Sequence, residues 1–285
     1  MRFFPTIPII CLSGLTSVAH AAGEGHVMPL YAEPVVDGWF ITNSMIMVWI
    51  AAGVIILFSR AATHRMSLVP VGLQNVAEWM VESLYTFLEG LVGTHMIKRT
   101  FWFLGAIFFL IVTTNYLGLL PGVGTIGRNV MVDGQPHYIP FLRGGNADLN
   151  MTAAMALLFA LLWFYWAITE NGFKGFMAHI FAPKGSFKGI MLALMVPVFL
   201  FVGVLEIISI MIRPVALTFR LYGNIYGGEQ TLEKLMTLAP KWLAFAPALP
   251  FMFIELLVCF VQALVFTLLC AIFIKLICDH GEEHH

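Results

Sequence analysis

Residues 206–229 read EIISIMIRPVALTFRLYGNIYGGE and place Glu206, Arg213, Arg220 and Glu229 inside an apolar run that extends from Gly189 to Leu238. A charge at bilayer depth costs roughly 2.5–3.5 kcal/mol, so such a residue is kept where it faces a partner or water. At about 100° per residue, positions seven apart drift by only about 20°. Glu206, Arg213 and Arg220 therefore form one stripe. Asn224 lies about one turn beyond Arg220 and close to that stripe, whereas Glu229 points roughly the opposite way. A fixed cation with a carboxylate behind it suggests an ion path that does not run straight through.

The composition agrees with a membrane setting. Of the 285 residues 60% are hydrophobic and 11% charged, where soluble domains carry about 25% charged residues. A net charge of −1 offers no basic surface, so no nucleic acid is expected as a partner. The four cysteines, Cys11, Cys259, Cys270 and Cys278, form no C-x-x-C pair, and neither a disulfide frame nor a zinc site is expected. No GxxxxGK occurs, so this chain is not expected to bind nucleotide.

Read in order, residues 1–22 look like a secretory signal: Arg2, an apolar stretch to Leu15, then Ala19-His20-Ala21 as a small-x-small cleavage site. An uncleaved amphipathic start is the other reading. Either way residues 23–40 are expected outside the membrane. One membrane domain follows over 41–278, with passages at about 43–59, 101–120, 150–168, 189–238 and 242–277, and a tail at 279–285. Thr42-Asn43-Ser44 provides caps for the first passage. Arg60, His64 and Arg65, then Lys98 and Arg99, then Lys174, Lys184 and Lys188 mark the cytoplasmic side. Pro70–Thr94 carries Glu78, Glu82 and Glu89 among apolar residues and reads as an amphipathic helix on the cytoplasmic surface. Gly122–Asp148 reads as an outer loop, and Asn150-Met151-Thr152 as a helix cap rather than a glycosylation site.

The fourth passage is long. As one helix its 50 residues would measure about 75 Å against about 30 Å of hydrocarbon, so it must tilt steeply or bend near Pro197 and Pro214. Ala239-Pro240-Lys241 separates it from the last passage, which carries Glu255 and Gln262 on one face. The expected fold is all-α and polytopic: five membrane passages, the N-terminus outside, an amphipathic cytoplasmic helix, and a steeply tilted hairpin of the last two helices. No internal repeat is visible, which weighs against an inverted-repeat transporter.

Arg220 stays protonated where a lysine can lose its charge. Such a cation repels protons and attracts a carboxylate moving past it; the structural alternative is an ion pair with Glu206. Arg213, two turns away, either pairs with Glu206 or reaches an interface. Asn224 and Gln262 are amides that can hold a guanidinium or ordered water without adding charge; packing is the alternative. Glu229 and Glu255 are suited to passing protons, or are interfacial or ion-paired carboxylates. Asp279, His280, Glu282, Glu283, His284 and His285 read as a solvated tail rather than a metal site, His26, His95, His137 and His179 as loop or interface histidines, and Trp163-Phe164-Tyr165-Trp166 as an interfacial aromatic belt.

RLYGNIYGGE, from Arg220 to Glu229, resembles subunit a of F-type ATP synthases, whose pattern is RLFGN-x-x-AGE. The resemblance extends to Pro70 with Gln74-Asn75 and Glu78, to TNYLGLLP from Thr114 to Pro121, and to ADLNMT from Ala147 to Thr152. Arg213-Pro214, Glu255 and Gln262 also match, so it covers about residues 40–275. The departures are Tyr222 for Phe, Gly227 for Ala, and the leader.

The resemblance implies a stator subunit without catalysis or cofactor of its own, working against a rotating c-ring with subunit b and the remaining synthase subunits. Its setting would be the bacterial inner membrane, with the N-terminus periplasmic and the C-terminus cytoplasmic. Arg220 matches the arginine that separates two half-channels, with Asn224 and Gln262 beside it. Glu229 and Glu255 match the polar pair of the outer path and Glu206 an acidic residue of the inner path; Arg213 and Asn115 are secondary candidates. The competing reading is a proton-coupled secondary transporter, which would need a substrate cavity and repeat symmetry.

Overall fold

The computed structural model describes residues 32–35, 40–124, 126–132, 135–181, 190–238, 240, 243 and 245–278. The leader at 1–22, the tail at 279–285, Lys184 and Lys188 lie outside them. The described chain is an all-α membrane protein in which five helices are long and apolar enough to cross a bilayer. The α-helices are in order α1 (Asn43–Thr63), α2 (Leu73–Val92), α3 (Thr94–Gly118), α4 (Leu149–Phe181), α5 (Ile190–Leu238) and α6 (Phe245–Cys278); all but the amphipathic α2 are among the five.

Each start has a local cause. The Thr42 hydroxyl accepts from the Met45 amide and caps α1. Helix α2 lies between Gly72 and Gly93, whose φ angles of 61° and 88° other residues rarely adopt. Its Leu84, Leu88 and Val92 are buried at helical spacing while Glu78 and Glu82 stay exposed. Gln74 anchors the turn before it, donating to the Ser67 carbonyl at 2.9 Å and to Glu78 at 2.7 Å.

Several segments differ from the sequence reading. Helix α3 begins at Thr94, because Gly93 reverses the chain there and the amphipathic helix ends two residues before Thr94. Helix α4 continues to Phe181 across a kink at Gly172, where φ is 65° and the helical path is interrupted. The cap of α4 is Asp148 rather than Asn150: its carboxylate accepts from the Asn150 amide at 3.1 Å. The loop expected on the outer side contains extended structure, β1 (Pro121–Gly124) and an antiparallel pair of β2 (Gly127–Val132) and β3 (Gln135–Pro140), with Gly127 opposite Pro140 and Val132 opposite Gln135. Alternating residues in a segment bounded by glycines allow such a ribbon, and the dominance of turn residues hid it.

The aromatic belt is also corrected. Trp163 and Trp166 are buried, whereas Phe164 and Tyr165 are exposed. Helical periodicity turns the two tryptophans inward, where Trp166 meets Phe103 edge-on at 6.1 Å.

Helix α5 runs as one helix through Pro197 and Pro214, about 74 Å from end to end. It packs on α4 and α6, while α3 and α6 form the core behind it through Leu104, Ile111, Phe266 and Ile274. In its most apolar stretch only 6% of α5 is buried within the chain, against 44% for α6. One long flank of α5 is therefore presented outward.

Before α4, the turn Gly145–Ala147 is wedged between α1 and α3. A Cβ on Gly145 would stand 2.7 Å from Val48 Cγ2 and 2.8 Å from Thr114 Cγ2. Gly145→Ala should therefore destabilise the fold by about 1–3 kcal/mol, as overpacking does. Thermal unfolding of the purified protein in detergent measures it; an unchanged midpoint would mean that α1 and α3 are not held this tightly.

Candidate functional site

The candidate residues lie at three levels along α5, because one continuous helix spaces them by its rise. The rise puts about 21 Å of helix between Glu206 and Arg220, and about 14 Å between Arg220 and Glu229.

At the first level Arg213 donates to Glu206 at 3.1 Å. The seven-residue spacing makes this pair possible, and of the two sequence readings for Arg213 the ion pair is the one formed. The guanidinium also lies over two rings, 5.9 Å from the centroid of Trp163 on α4 and 5.1 Å from that of Phe273 on α6. Cation–π contacts contribute about 0.5–1 kcal/mol when exposed and more when desolvated. The Trp163 indole N–H donates to the Phe273 backbone carbonyl at 2.8 Å, which ties the indole to α6.

At the second level Arg220 is exposed on the outward flank of α5 and makes no hydrogen bond or ion pair among the described residues. It does not pair with Glu206, whose partner is Arg213. One turn on, the Asn224 amide donates to Gln262 Oε1 on α6 at 2.5 Å. Gln262 is buried, and its Nε2 has no partner among the described residues. The two amides bridge α5 to α6 directly beside the arginine.

At the third level the ends of α3, α5 and α6 and the Gly144–Asn146 turn enclose a cavity of about 90 Å³, room for several water molecules. Glu229 and Glu255 both line it, with Asn115, Asn146 and Cys259. The carboxylates rest on glycines. A Cβ on Gly144 would stand 2.5 Å from Glu229 Oε1, and one on Gly228 would be 2.6 Å from Glu255 Oε2 and closer still to Oε1. Gly228 thus lets the α6 carboxylate lie against the α5 backbone. Gly227, where the family pattern has Ala, meets nothing within 4 Å, so that departure is sterically free.

The cavity wall is held by amides. Asn115 donates to the Cys259 carbonyl at 3.1 Å, fixing α3 to α6, and accepts from Asn146 at 2.6 Å. Asn146 and the buried Arg143, which donates to the Ala147 carbonyl at 3.1 Å, did not emerge from the sequence. Both sit in a turn-rich segment without periodicity, where a lone polar residue reads as solvated. Their neighbourhood to the ADLNMT motif was the available signal.

No group of three or more His, Cys, Asp or Glu side chains among the described residues could hold a metal ion.

The sequence matches the family described as ATP synthase A chain over residues 45–275. It is 33% identical to ATP synthase subunit a of Solidesulfovibrio magneticus over 242 residues, covering 85% of this chain and 87% of that one. It is 30% identical to ATP synthase subunit a of Desulforamulus reducens over 264 residues, covering 91% and 85%. Against the subunit a of Anaeromyxobacter dehalogenans the identity is 29% over 85% of this chain and 59% of that one. With a family match over most of its length and five apolar helices, this multi-pass membrane protein belongs to the ATP synthase A chain family.

Proposed function

We propose that the chain is the proton-conducting stator subunit of an F-type ATP synthase and forms two offset half-channels against a rotating ring of carboxylate-bearing subunits. The observation that carries this reading is Arg220: a permanent cation, exposed on the outward flank of α5, with no partner among the described residues of its own chain. A charge so placed is tolerable where another molecule supplies the counter-charge. The three levels along α5 support the division of labour.

The outer half-channel is the cavity of Glu229 and Glu255, which receives protons and delivers them to a ring carboxylate. A neutral carboxylic acid can then turn into lipid, where an ionised one cannot. After nearly a full turn it meets Arg220 from the other side and releases its proton towards Glu206 and the inner face. Arg220 blocks a direct passage between the two, because it holds the carboxylate in its ionised form and repels a proton crossing alone. The Asn224–Gln262 bridge keeps the helices in register at this point. Each charge crossing 100 mV supplies about 2.3 kcal/mol, so several crossings are summed for each ATP.

ATP chemistry belongs to partner subunits, and subunit b completes the stator in this reading. The proposed setting is the bacterial inner membrane, with a leader over residues 1–22, the N-terminus periplasmic and the C-terminus cytoplasmic. The distribution of Arg60, Arg65, Lys98 and Arg99 supports that orientation.

In inside-out vesicles carrying the assembled synthase, Arg220→Ala is expected to abolish ATP-driven acidification while the ring still co-purifies. Passive proton flow through the head-stripped membrane sector is expected to persist as a leak. Normal acidification would overturn the separator role. A second variant, Gly228→Ala, should displace the Glu255 carboxylate and slow acidification by about ten- to a hundredfold, since an ångström of misplacement in a reaction path is that costly. Gly227→Ala should be silent in the same assay; equal effects of the two would mean that the close approach to Glu255 is irrelevant.

A further inference from the structure

We infer that Arg213 is a positioning residue for Glu206, and that Trp163 and Phe273 form an aromatic clamp that holds it to that task. The inference rests on the translocating role proposed above and names the device that orients its inner carboxylate.

The pair is unequal in exposure: the Arg213 side chain is 19% accessible and that of Glu206 40%. The arginine therefore belongs to the interior of the helix packing, and the carboxylate is the charge presented outward. Two elements other than α5 fix the guanidinium, α4 through Trp163 and α6 through Phe273. The indole of Trp163 is itself bonded to the α6 backbone at Phe273, so the Trp163 ring is held to α6 beside the second ring. A guanidinium is suited to this site because it can stack on rings and still aim N–H groups at a carboxylate edge.

The local backbone adds to the device. Pro214 has no N–H, so the carbonyl of Ile210 loses its helical donor. Ile210, Arg213 and Pro214 all line a cavity of about 90 Å³ together with the two clamp rings. Thr218 donates to the Pro214 carbonyl at 2.9 Å and steadies the helix beyond the gap. The cation thus stands at a break in the helical bonding, held by rings rather than by a second carboxylate. Of its possible contacts, only Glu206 faces out along the stripe that ends at Arg220. The clamp converts a flexible glutamate on an exposed helix flank into a carboxylate of fixed height and direction.

The test uses whole synthase in inside-out vesicles, with passive proton flux measured after stripping the head and normalised to subunit a content. The variants are Arg213→Gln, Arg213→Lys, Phe273→Leu, Glu206→Gln, the Arg213→Gln/Glu206→Gln double, and the reciprocal Glu206→Arg/Arg213→Glu swap. Arg213→Gln and Glu206→Gln are each expected to lower flux per assembled complex by about tenfold, and the double no further, as coupled neighbours do. Arg213→Lys should recover part of the flux, Phe273→Leu should reduce it with the ion pair intact, and the swap should fail because a carboxylate is repelled by ring faces. Should Arg213→Gln not assemble, Phe273→Leu and Arg213→Lys decide the matter. Full rescue by the swap would reduce the site to a simple charge pair and overturn the clamp, as would normal flux in Phe273→Leu. A fall in assembly with unchanged flux per complex would make Arg213 merely structural and overturn the inference. Arg220→Ala is run in parallel: if that variant pumps normally, the translocating reading itself has failed, whatever the Arg213 variants do.

Discussion

A bilayer gives a charged side chain no solvent, and α5 carries four of them between Glu206 and Glu229. The fold answers this cost separately at each position. Arg213 and Glu206 cancel each other, and two rings take over part of the hydration that the guanidinium has lost. Glu229 faces a cavity large enough for water. Of these four, Arg220 alone has no partner among the described residues. In the proposed reading this is why α5 is not buried on all sides: a helix enclosed by its own protein would need an internal counter-charge for Arg220, and that would cancel the separating role of a permanent cation.

The packing of α5 on α6 follows from the same requirement. To place Glu229 and Glu255 in one cavity, two helices must come closer than ordinary side chains permit. Gly228 removes the obstruction on one helix, and Gly144 does so on the loop that roofs the cavity. The bonds from Asn115 to Cys259 and from Asn224 to Gln262 then tie α6 to α3 and α5 about one and two turns beyond the glycine contact. Amides suit this task because they bridge helices without adding a charge that would compete with the arginine. Steric permission comes from glycine and registration from amides.

Much of this was legible in the sequence because charge in an apolar run is rare and periodicity assigns it a face. The stripe of Glu206, Arg213 and Arg220, the opposed Glu229 and the existence of five apolar helices all follow from spacing alone. What spacing could not supply is contact between elements. Nothing near Arg213 indicates that Trp163 and Phe273, 50 residues before it and 60 after it, close on its guanidinium. The tryptophan read as an interfacial anchor because composition identifies a belt but not which members turn inward. Asn146 and Arg143 were invisible for a related reason: in a loop no period exists, so a buried polar residue resembles a solvated one. The ribbon of β2 and β3 was obscured by its glycines, which signal turns more strongly than short strands signal pairing.

The continuity of α5 links these points to mechanism. Two prolines lie within it, yet the helix continues through both, with α4 and α6 packed on it and Pro214 lining a cavity with the Trp163 and Phe273 rings. The rise of the helix puts about 35 Å of it between Glu206 and Glu229, with Arg220 between them. In the proposed reading that separation is functional: a proton leaves the chain on a moving partner to get from one level to the other. The clamp around Arg213 therefore serves two ends with one set of contacts. It braces α5 at the turn where Pro214 removes a helical bond, and in the proposed reading it fixes the carboxylate at which the inner path begins.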